Sequence, residues 1–503
     1  MKNYVFRFWD RFLNNPVNAV IFVIIFTIAA WTVQCSMLQS VLGLDILEAL
    51  SWGAHGDTWG NTKHPPLSGW IAHGLSTIAG CRDWIMYLAA QLCLAVGIWF
   101  TYLTAKLFLD RYEAAAGAIL LVSCYHYCPS LLKFSTFFVE IAMMPVIAYS
   151  FFTAMRKKNI FSYAILGLAC GIAFLNKYSI GLLFTALTIL FFSTKEYRAE
   201  LKSLRPYLAG IIFIAVIYPH IVWLTKNNFI CLNHVGNRLH EEYKWYEPIV
   251  VFLTAVYPAA VALGVLAAAA LPLRKSLVKR GILFDTFKWS CLFTAVPALI
   301  LFISSLSGNS VIMMWFCTLA SFTGILAVSV FPFKIDRLMF RNIFLLITIY
   351  MTGFFIASTI DVAVKSRPRI HMDTAKVIAF ADAEWQKKHP GKPIKFVVGD
   401  RWYGNIISHY HKDKPAILEM DKELKNDWKR RNYLQKALND GALVIGRKKE
   451  LFQDFADELQ KTTGQKIDFT RKYACPYKAI LGKEKTRDIF IDVITANSEV
   501  KIK

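Results

Sequence analysis

The sequence has no CxxC pair, and its ten cysteines are scattered, most of them inside apolar runs (Cys93, Cys124, Cys170, Cys291, Cys317). That pattern indicates no disulfide framework and reads as small buried thiols. There is no P-loop and no glycine-rich turn opening a Rossmann helix, so no nucleotide site is indicated. Internal repeats, heptads and low-complexity tracts are missing as well. Acids are scarce: 35 Asp+Glu stand against 57 Lys+Arg, a formal charge of +22. Such an excess can signal nucleic-acid binding. Here much of it sits in short loops between apolar runs, where it sets orientation in a membrane instead.

What is abundant is apolar length. With 55% hydrophobic residues in 503 and a mean hydropathy of +0.40, the composition is that of a polytopic α-helical membrane protein. The first run, residues 17–38, lacks a small-residue cleavage site and exceeds a signal h-region, so it reads as a retained span. Lys2, Arg7 and Arg11 then place the N-terminus inside and residues 39–83 outside. Further spans are expected near 84–105, 114–129, 135–154, 159–176, 179–193, 207–225, 248–270, 289–306, 310–331 and 340–360, separated on the inside by basic loops. That makes about 11 transmembrane helices, with the C-terminus outside. Residues 1–366 form the transmembrane domain in this reading.

From about Arg367 the composition becomes that of a soluble domain. KFVVGD and GALVIG read as buried strands, and the stretches Lys376–Lys388, Lys422–Asn439 and Lys449–Lys461 read as amphipathic helices. Residues 367–503 are therefore expected to be an α/β domain outside the membrane. It carries 29 Lys+Arg against 19 Asp+Glu, a net of +10, which suits anionic headgroups or glycolipid phosphates as well as a plainly solvated surface.

Chemistry concentrates in the first outside loop, LDILEALSWGAHGDTWGNTKHPPLSGW. Asp45 and Glu48 are spaced i, i+3, so a helical continuation of the first span puts both carboxylates on one face. Such a group serves as a general base or helps to hold a divalent metal ion, and both roles stay open for the pair. Asp57, Lys63 and His64 follow, with Pro65-Pro66 stiffening the segment around His64. Trp52, Trp59 and Trp70 suit an interfacial belt or a sugar-stacking surface. In FLNKYSIG, Lys177 emerges on the outside, where lysine at membrane depth calls for a partner such as a lipid-linked phosphate, with Tyr178 at headgroup level. In the loop 219–245, Lys226, His234, Arg238 and His240 supply donors, and Arg238 matches an oxyanion best through its planar fork. Gly308 and Asn309, in SLSGNSVIMMW, sit in a short outside turn.

The order of these segments (acid-bearing first loop, KHPPL, NKYS, PHIVWL…N…R, a late outside turn and a C-terminal outside domain) resembles membrane glycosyltransferases of the GT-C superfamily. Within it the chain looks like the dolichyl-phosphate-mannose protein mannosyltransferase branch, which includes lipid A aminoarabinose transferases and lipopolysaccharide-core galacturonic acid transferases. The resemblance implies an inverting transfer of a sugar from a polyprenyl-phosphate donor to lipopolysaccharide, lipid A or another envelope glycan. It places the chain in the bacterial inner membrane, with a cytoplasmic N-terminus and a periplasmic C-terminal domain. It makes Glu48 or Asp45 the base, with Glu48 favoured. It assigns Lys177, Tyr178 and Arg238 to the donor phosphate, and His64, Lys63, Asp57 and His234 to the site lining. The rival reading is a transporter or flippase for lipid-linked sugars, which more often shows repeats and ionisable groups at mid-membrane.

Overall fold

The structure is a computed structural model and describes residues 12–124, 127, 134–240, 243–311, 313–316, 319–420 and 433–497. Its helices are α1 (Val17–Leu38), α2 (Leu44–His55), α3 (Leu67–Ile78), α4 (Trp84–Ala105), α5 (Arg111–Ile119), α6 (Thr136–Lys157), α7 (Ile160–Phe174), α8 (Ile180–Ser193) and α9 (Arg205–Lys226). There follow α10 (Ile230–Leu239), α11 (Glu247–Ala270), α12 (Phe284–Leu306), α13 (Thr323–Val330) and α14 (Arg337–Val364). The C-terminal part contains α15 (Thr374–Lys388), α16 (Tyr403–Tyr410), α17 (Tyr433–Asp440) and α18 (Gln453–Thr463).

The chain is a multi-span membrane protein. Among the described residues, seven helices are long and apolar enough to cross a bilayer: α1, α4, α6, α9, α11 (extended to Leu273), α12 and α14. The other four expected spans are shorter elements. α5 runs into a 3-10 turn at Leu120–Ser123, α7 has 15 residues, α8 has 14, and α13 has 8. Fifteen residues at about 1.5 Å each reach only ~22 Å, less than the roughly 30 Å hydrocarbon core. α8 is followed by Lys195–Lys202 at a bend of 93°. Four of the seven long helices carry an internal proline (Pro145, Pro219, Pro258, Pro297), which apolar surroundings and neighbouring helices tolerate.

Two compact units emerge. The first comprises Met1–Val33, Lys63–Leu67 and Tyr87–Ser358; the second comprises Gln34–Thr62, Ser68–Met86 and Thr359–Lys503. In the first unit, small residues set helix spacing. A Cβ on Gly167 would lie 2.3 Å from the Ala209 carbonyl oxygen, and one on Gly171 would lie 2.8 Å from Val216 Cβ, so G167-L-A-C-G171 lets α7 lie directly on α9. Gly324 on α13 meets Gly117 on α5 in the same way, at 2.2 Å from its carbonyl.

The second unit is built on a five-stranded sheet: β1 (Phe396–Asp400), β2 (Ala416–Met420), β3 (Ala442–Gly446), β4 (Lys472–Tyr477) and β5 (Lys485–Ile494), in the order β2-β1-β3-β5-β4. β1 pairs in parallel with β2 and β3, whereas β5 runs antiparallel to both β3 and β4. β3 is buried along its whole length, as a central strand of an α/β sheet must be. Val398, Leu418, Val444, Leu438, Phe455, Leu459 and Phe490 form the core on one side. The strands expected at KFVVGD and GALVIG are β1 and β3, and the helix at Lys376–Lys388 is α15. Of the stretch Lys422–Asn439, only the part from residue 433 lies within the described residues, where it forms α17. β2, β4, β5 and α16 were not anticipated.

Candidate active site

The first-loop carboxylates lie on α2, which is a separate 12-residue helix and not a continuation of the first span: the chain breaks between Leu38 and Leu44. Asp45 occupies its first turn, where the helix dipole favours a negative charge, and is half-buried. Glu48, one turn on, is 3% exposed. Its two oxygens are both gripped by Arg401, whose Nε donates to Oε1 at 2.5 Å and Nη2 to Oε2 at 3.0 Å. This bidentate fork is the strong form of a carboxylate–guanidinium pair. Arg401 also lies 3.5 Å from Glu419 on β2.

Arg401 is placed by the sheet. It directly follows Asp400, the last residue of β1, at the carboxyl edge of the parallel strands where ligands of open α/β sheets gather. Asp400 starts α16 by accepting from Trp402 N at 3.0 Å and Tyr403 N at 2.8 Å, and it also accepts from Arg447 N at 3.1 Å. Desolvation pushes the Asp400 carboxyl above its ordinary range, against the pull of those three N–H groups. Further bonds tie the loop to the same unit. Leu42 N donates to Tyr410 Oη at 2.9 Å, Tyr410 donates to Asp83 at 2.7 Å, and Ser40 N donates to Ile370 O at 2.9 Å. α2 and α3 cross at Gly53 and Gly69, where a Cβ on Gly53 would fall 2.2 Å from the Gly69 carbonyl oxygen. Asp57 is exposed in the turn that closes on Gly60; Trp59 packs edge-on against Trp70 at 5.1 Å.

The first unit holds the other expected residues. Lys63 is 2% exposed, and His64 sets its ring edge-on to His234 on α10 with centroids 6.0 Å apart. Arg238 follows His234 by one turn on α10 and is half-buried. The KHPPL segment is fastened to the FLNKYS turn by Leu67 N donating to Leu175 O at 2.9 Å. Two residues later, Lys177 Nζ meets Glu140 Oε2 at 3.1 Å and lies 5.4 Å above the Phe137 ring. Ser179 donates to the other Glu140 oxygen, and Asn176 donates to Thr136 O at 2.6 Å. The partner of Lys177 in this structure is therefore a carboxylate on α6. Tyr178 turns its hydroxyl inward to His220 Nε2 at 2.7 Å, and His220, fully buried, stacks on Trp223. The turn that contains Gly308 and Asn309 is held by Ser310 N donating to Leu239 O at 2.9 Å and by Ser310 Oγ donating to Glu247 at 3.2 Å.

Sequence reasoning missed three residues. Glu140 had a signal, a lone acid inside a membrane-length apolar run, which calls for a partner by default. His220 had only its place in PHIVWL. Arg401 had none, because its contact lies 353 positions away. Among the described residues no three His, Cys, Asp or Glu side chains group as a metal ion requires. Arg401 places a cation on both Glu48 oxygens, so the Asp45–Glu48 pair does not fit the metal alternative as it stands.

Residues 63–223 match the family described as dolichyl-phosphate-mannose-protein mannosyltransferase, a stretch that contains Lys63, His64, Glu140, Lys177, Tyr178 and His220. The lipopolysaccharide core galacturonosyltransferase RgtA of Rhizobium johnstonii is 24% identical over 179 residues, 33% of this chain and 34% of that protein. The match thus spans about a third of the curated relative's length. Two crystal structures of ArnT from Cupriavidus metallidurans, apo and bound to undecaprenyl phosphate, are similar at TM-scores of 0.57 and 0.59. Each match has 14% identity and covers 94% of this chain and 97% of that one. The chain is a multi-span membrane protein that shares the fold of ArnT, and its residues 63–223 resemble the dolichyl-phosphate-mannose-protein mannosyltransferase family.

Proposed function

We propose that the protein is an inverting glycosyltransferase of the bacterial inner membrane. It moves a sugar from a polyprenyl-phosphate carrier to a lipopolysaccharide, lipid A or other envelope glycan on the periplasmic face, where the C-terminal domain lies. The observation that carries this reading is the convergence in one unit of KHPPL, the NKYS turn, α6 and α10, through Leu67–Leu175, His64–His234 and Lys177–Glu140. These segments collect Lys63, His64, Lys177, His234 and Arg238, a set of donors suited to an oxyanion at a membrane surface. The separation at residue 367 into membrane and soluble domains belongs to the same proposal.

In this reading the acceptor hydroxyl attacks the anomeric carbon, and the bond from that carbon to the carrier phosphate oxygen breaks. The hydroxyl proton passes to a first-loop carboxylate. Arg401 already holds both Glu48 oxygens, so in this proposal the proton goes to Asp45 on the same helix and Glu48 is left to fix that helix. The departing phosphate gains a negative charge as the diester becomes a monoester. Lys177 and Arg238 meet that charge, the part of the reaction where fixed cations act most strongly, while Tyr178, bonded inward to His220, holds the turn that carries Lys177. Glu140 pairs with Lys177 and fixes its orientation. His64, Lys63, Asp57 and His234 are assigned to substrate binding in the same proposal.

The test is the glycan mass profile of cells with the gene intact, deleted or carrying Asp45→Asn or Lys177→Met. Transfer by the purified protein in nanodiscs, with polyprenyl-phosphate sugars as donors, is measured alongside. Loss of one sugar mass in the deletion and in both variants supports the transferase. A well-expressed Asp45→Asn that restores the sugar refutes the base assignment and favours a transport role.

A further inference from the structure

The loop joining β4 to β5 reads KAILGKE and presents two large apolar side chains to the outside, Ile480 at 60% exposure and Leu481 at 74%. They are the only exposed large aliphatic side chains among the described residues beyond Val364, so the rest of the C-terminal sheet domain keeps such groups covered. Their neighbours Lys478, Lys483 and Lys485 are all exposed.

This tip is fixed to the end of the last membrane-length helix. Leu481 N donates to Ala363 O at 2.9 Å, Ser366 Oγ donates to Lys483 O at 2.6 Å, and Ala479 N donates to Ser366 Oγ at 3.1 Å. Gly482 permits the approach, since a Cβ there would fall 2.7 Å from Val364 O. At 28 residues and about 1.5 Å each, α14 is ~42 Å long, against a hydrocarbon core of roughly 30 Å. Its last turns therefore reach headgroup level, where Asp361 pairs with Lys365 and Arg367. On the same helix Ile356, Ile360 and Val364 are exposed at i, i+4, i+8 as an apolar stripe, and Leu481 is bonded to the turn on which that stripe ends.

We infer that the β4–β5 tip is a membrane-surface anchor for the soluble domain: Ile480 and Leu481 seat in the boundary between headgroups and acyl chains, and Lys478, Lys483 and Lys485 engage anionic phospholipid headgroups. The chemistry is that of interfacial segments, in which an apolar wedge supplies insertion and flanking lysines supply attraction to negative lipid. It does not depend on which sugar the protein moves.

The experiment uses the full-length protein in nanodiscs of phosphatidylcholine with or without phosphatidylglycerol. Leu481→Cys, in a Cys81→Ser background that removes the one thiol exposed among the described residues, carries the environment-sensitive fluorophore NBD. Gln453→Cys, exposed on α18, serves as the comparison, and the unlabelled-site parent is subtracted. The label at 481 is expected to shift to the blue and to be quenched roughly twofold or more by lipids brominated near the carbonyls, with a larger effect when phosphatidylglycerol is present. A 481 label that matches the 453 label in emission and quenching overturns the anchor. Adding Lys478→Glu, Lys483→Glu and Lys485→Glu together is expected to erase the phosphatidylglycerol increment; an unchanged increment overturns the lysine–headgroup contact.

Discussion

The Glu48–Arg401 pair allows a quantitative test that needs no knowledge of the substrate. Glu48 is 3% exposed and Arg401 is about a quarter exposed, so truncating the arginine strands a nearly buried carboxylate. Breaking a buried pair from one side costs about 3–5 kcal/mol, and the partial exposure of Arg401 argues for the lower end, about 3 kcal/mol. For a unit of roughly 190 residues, each kcal/mol lowers the melting temperature by about 2–4 °C, so Arg401→Ala is expected to lose ~6–12 °C. Glu48→Ala is expected to cost less, because the freed guanidinium stays within reach of Glu419 at 3.5 Å and of solvent. The double variant should fall short of the sum of the two singles by about 2 kcal/mol, the coupling of residues in direct contact. Arg401→Lys keeps the charge but loses the fork and should sit between wild type and Arg401→Ala. The assay is thermal unfolding of the purified full-length protein in detergent, followed by intrinsic fluorescence. Additive single effects, or no shift for Arg401→Ala, would show that the fork contributes nothing and would remove the reason for preferring Asp45 over Glu48 as base.

Three further outcomes are expected. Asp45→Asn, at a half-buried first-turn position, should leave the melting temperature within about 1–2 °C while lowering sugar transfer by roughly 10²–10⁴-fold, the range for loss of a general base; a variant with full turnover would refute the role. Gly167→Ala should destabilise the membrane unit by about 1–3 kcal/mol through overpacking, because its Cβ would meet the Ala209 carbonyl oxygen at 2.3 Å, whereas Gly181→Ala, with open space around it, should not; size-exclusion monodispersity after heating separates the two. Acidification should weaken the second unit. Burial holds His389 and His371 below the usual histidine range, and nearby cations (Lys392 and Lys388, and Arg367, respectively) act in the same direction. The unfolded chain therefore takes up protons first as pH falls. The stability contributed by these neutral rings is present above about pH 6.5 and is lost as pH drops through that value toward their lowered ones. His389→Gln should flatten the melting-temperature profile between about pH 7.5 and 5, and an unchanged slope would show that His389 does not contribute.

Much of this protein is decided within short stretches of its sequence. Runs of apolar residues commit seven segments to membrane-length helices whatever their neighbours do, because a backbone in lipid must satisfy its own hydrogen bonds. KFVVGD and GALVIG become β1 and β3 by the same local logic, and Asp45 and Glu48 lie on one helix at i, i+3 as their spacing requires. Even Lys177 announced that it needed a partner. What the sequence left open was which partners meet. Glu48 finds Arg401 across 353 positions, Lys177 finds Glu140 across 37, and β5 inserts between β3 and β4, reversing the sheet's direction after its parallel half. Such pairings depend on how helices and strands pack, and packing is settled by small-residue contacts such as Gly167 on Ala209 and Gly53 on Gly69 that carry no signature at a distance. Local composition chose the elements; only the tertiary structure chose which charge faces which, because the burial that makes an ion pair matter does not exist until the fold has formed.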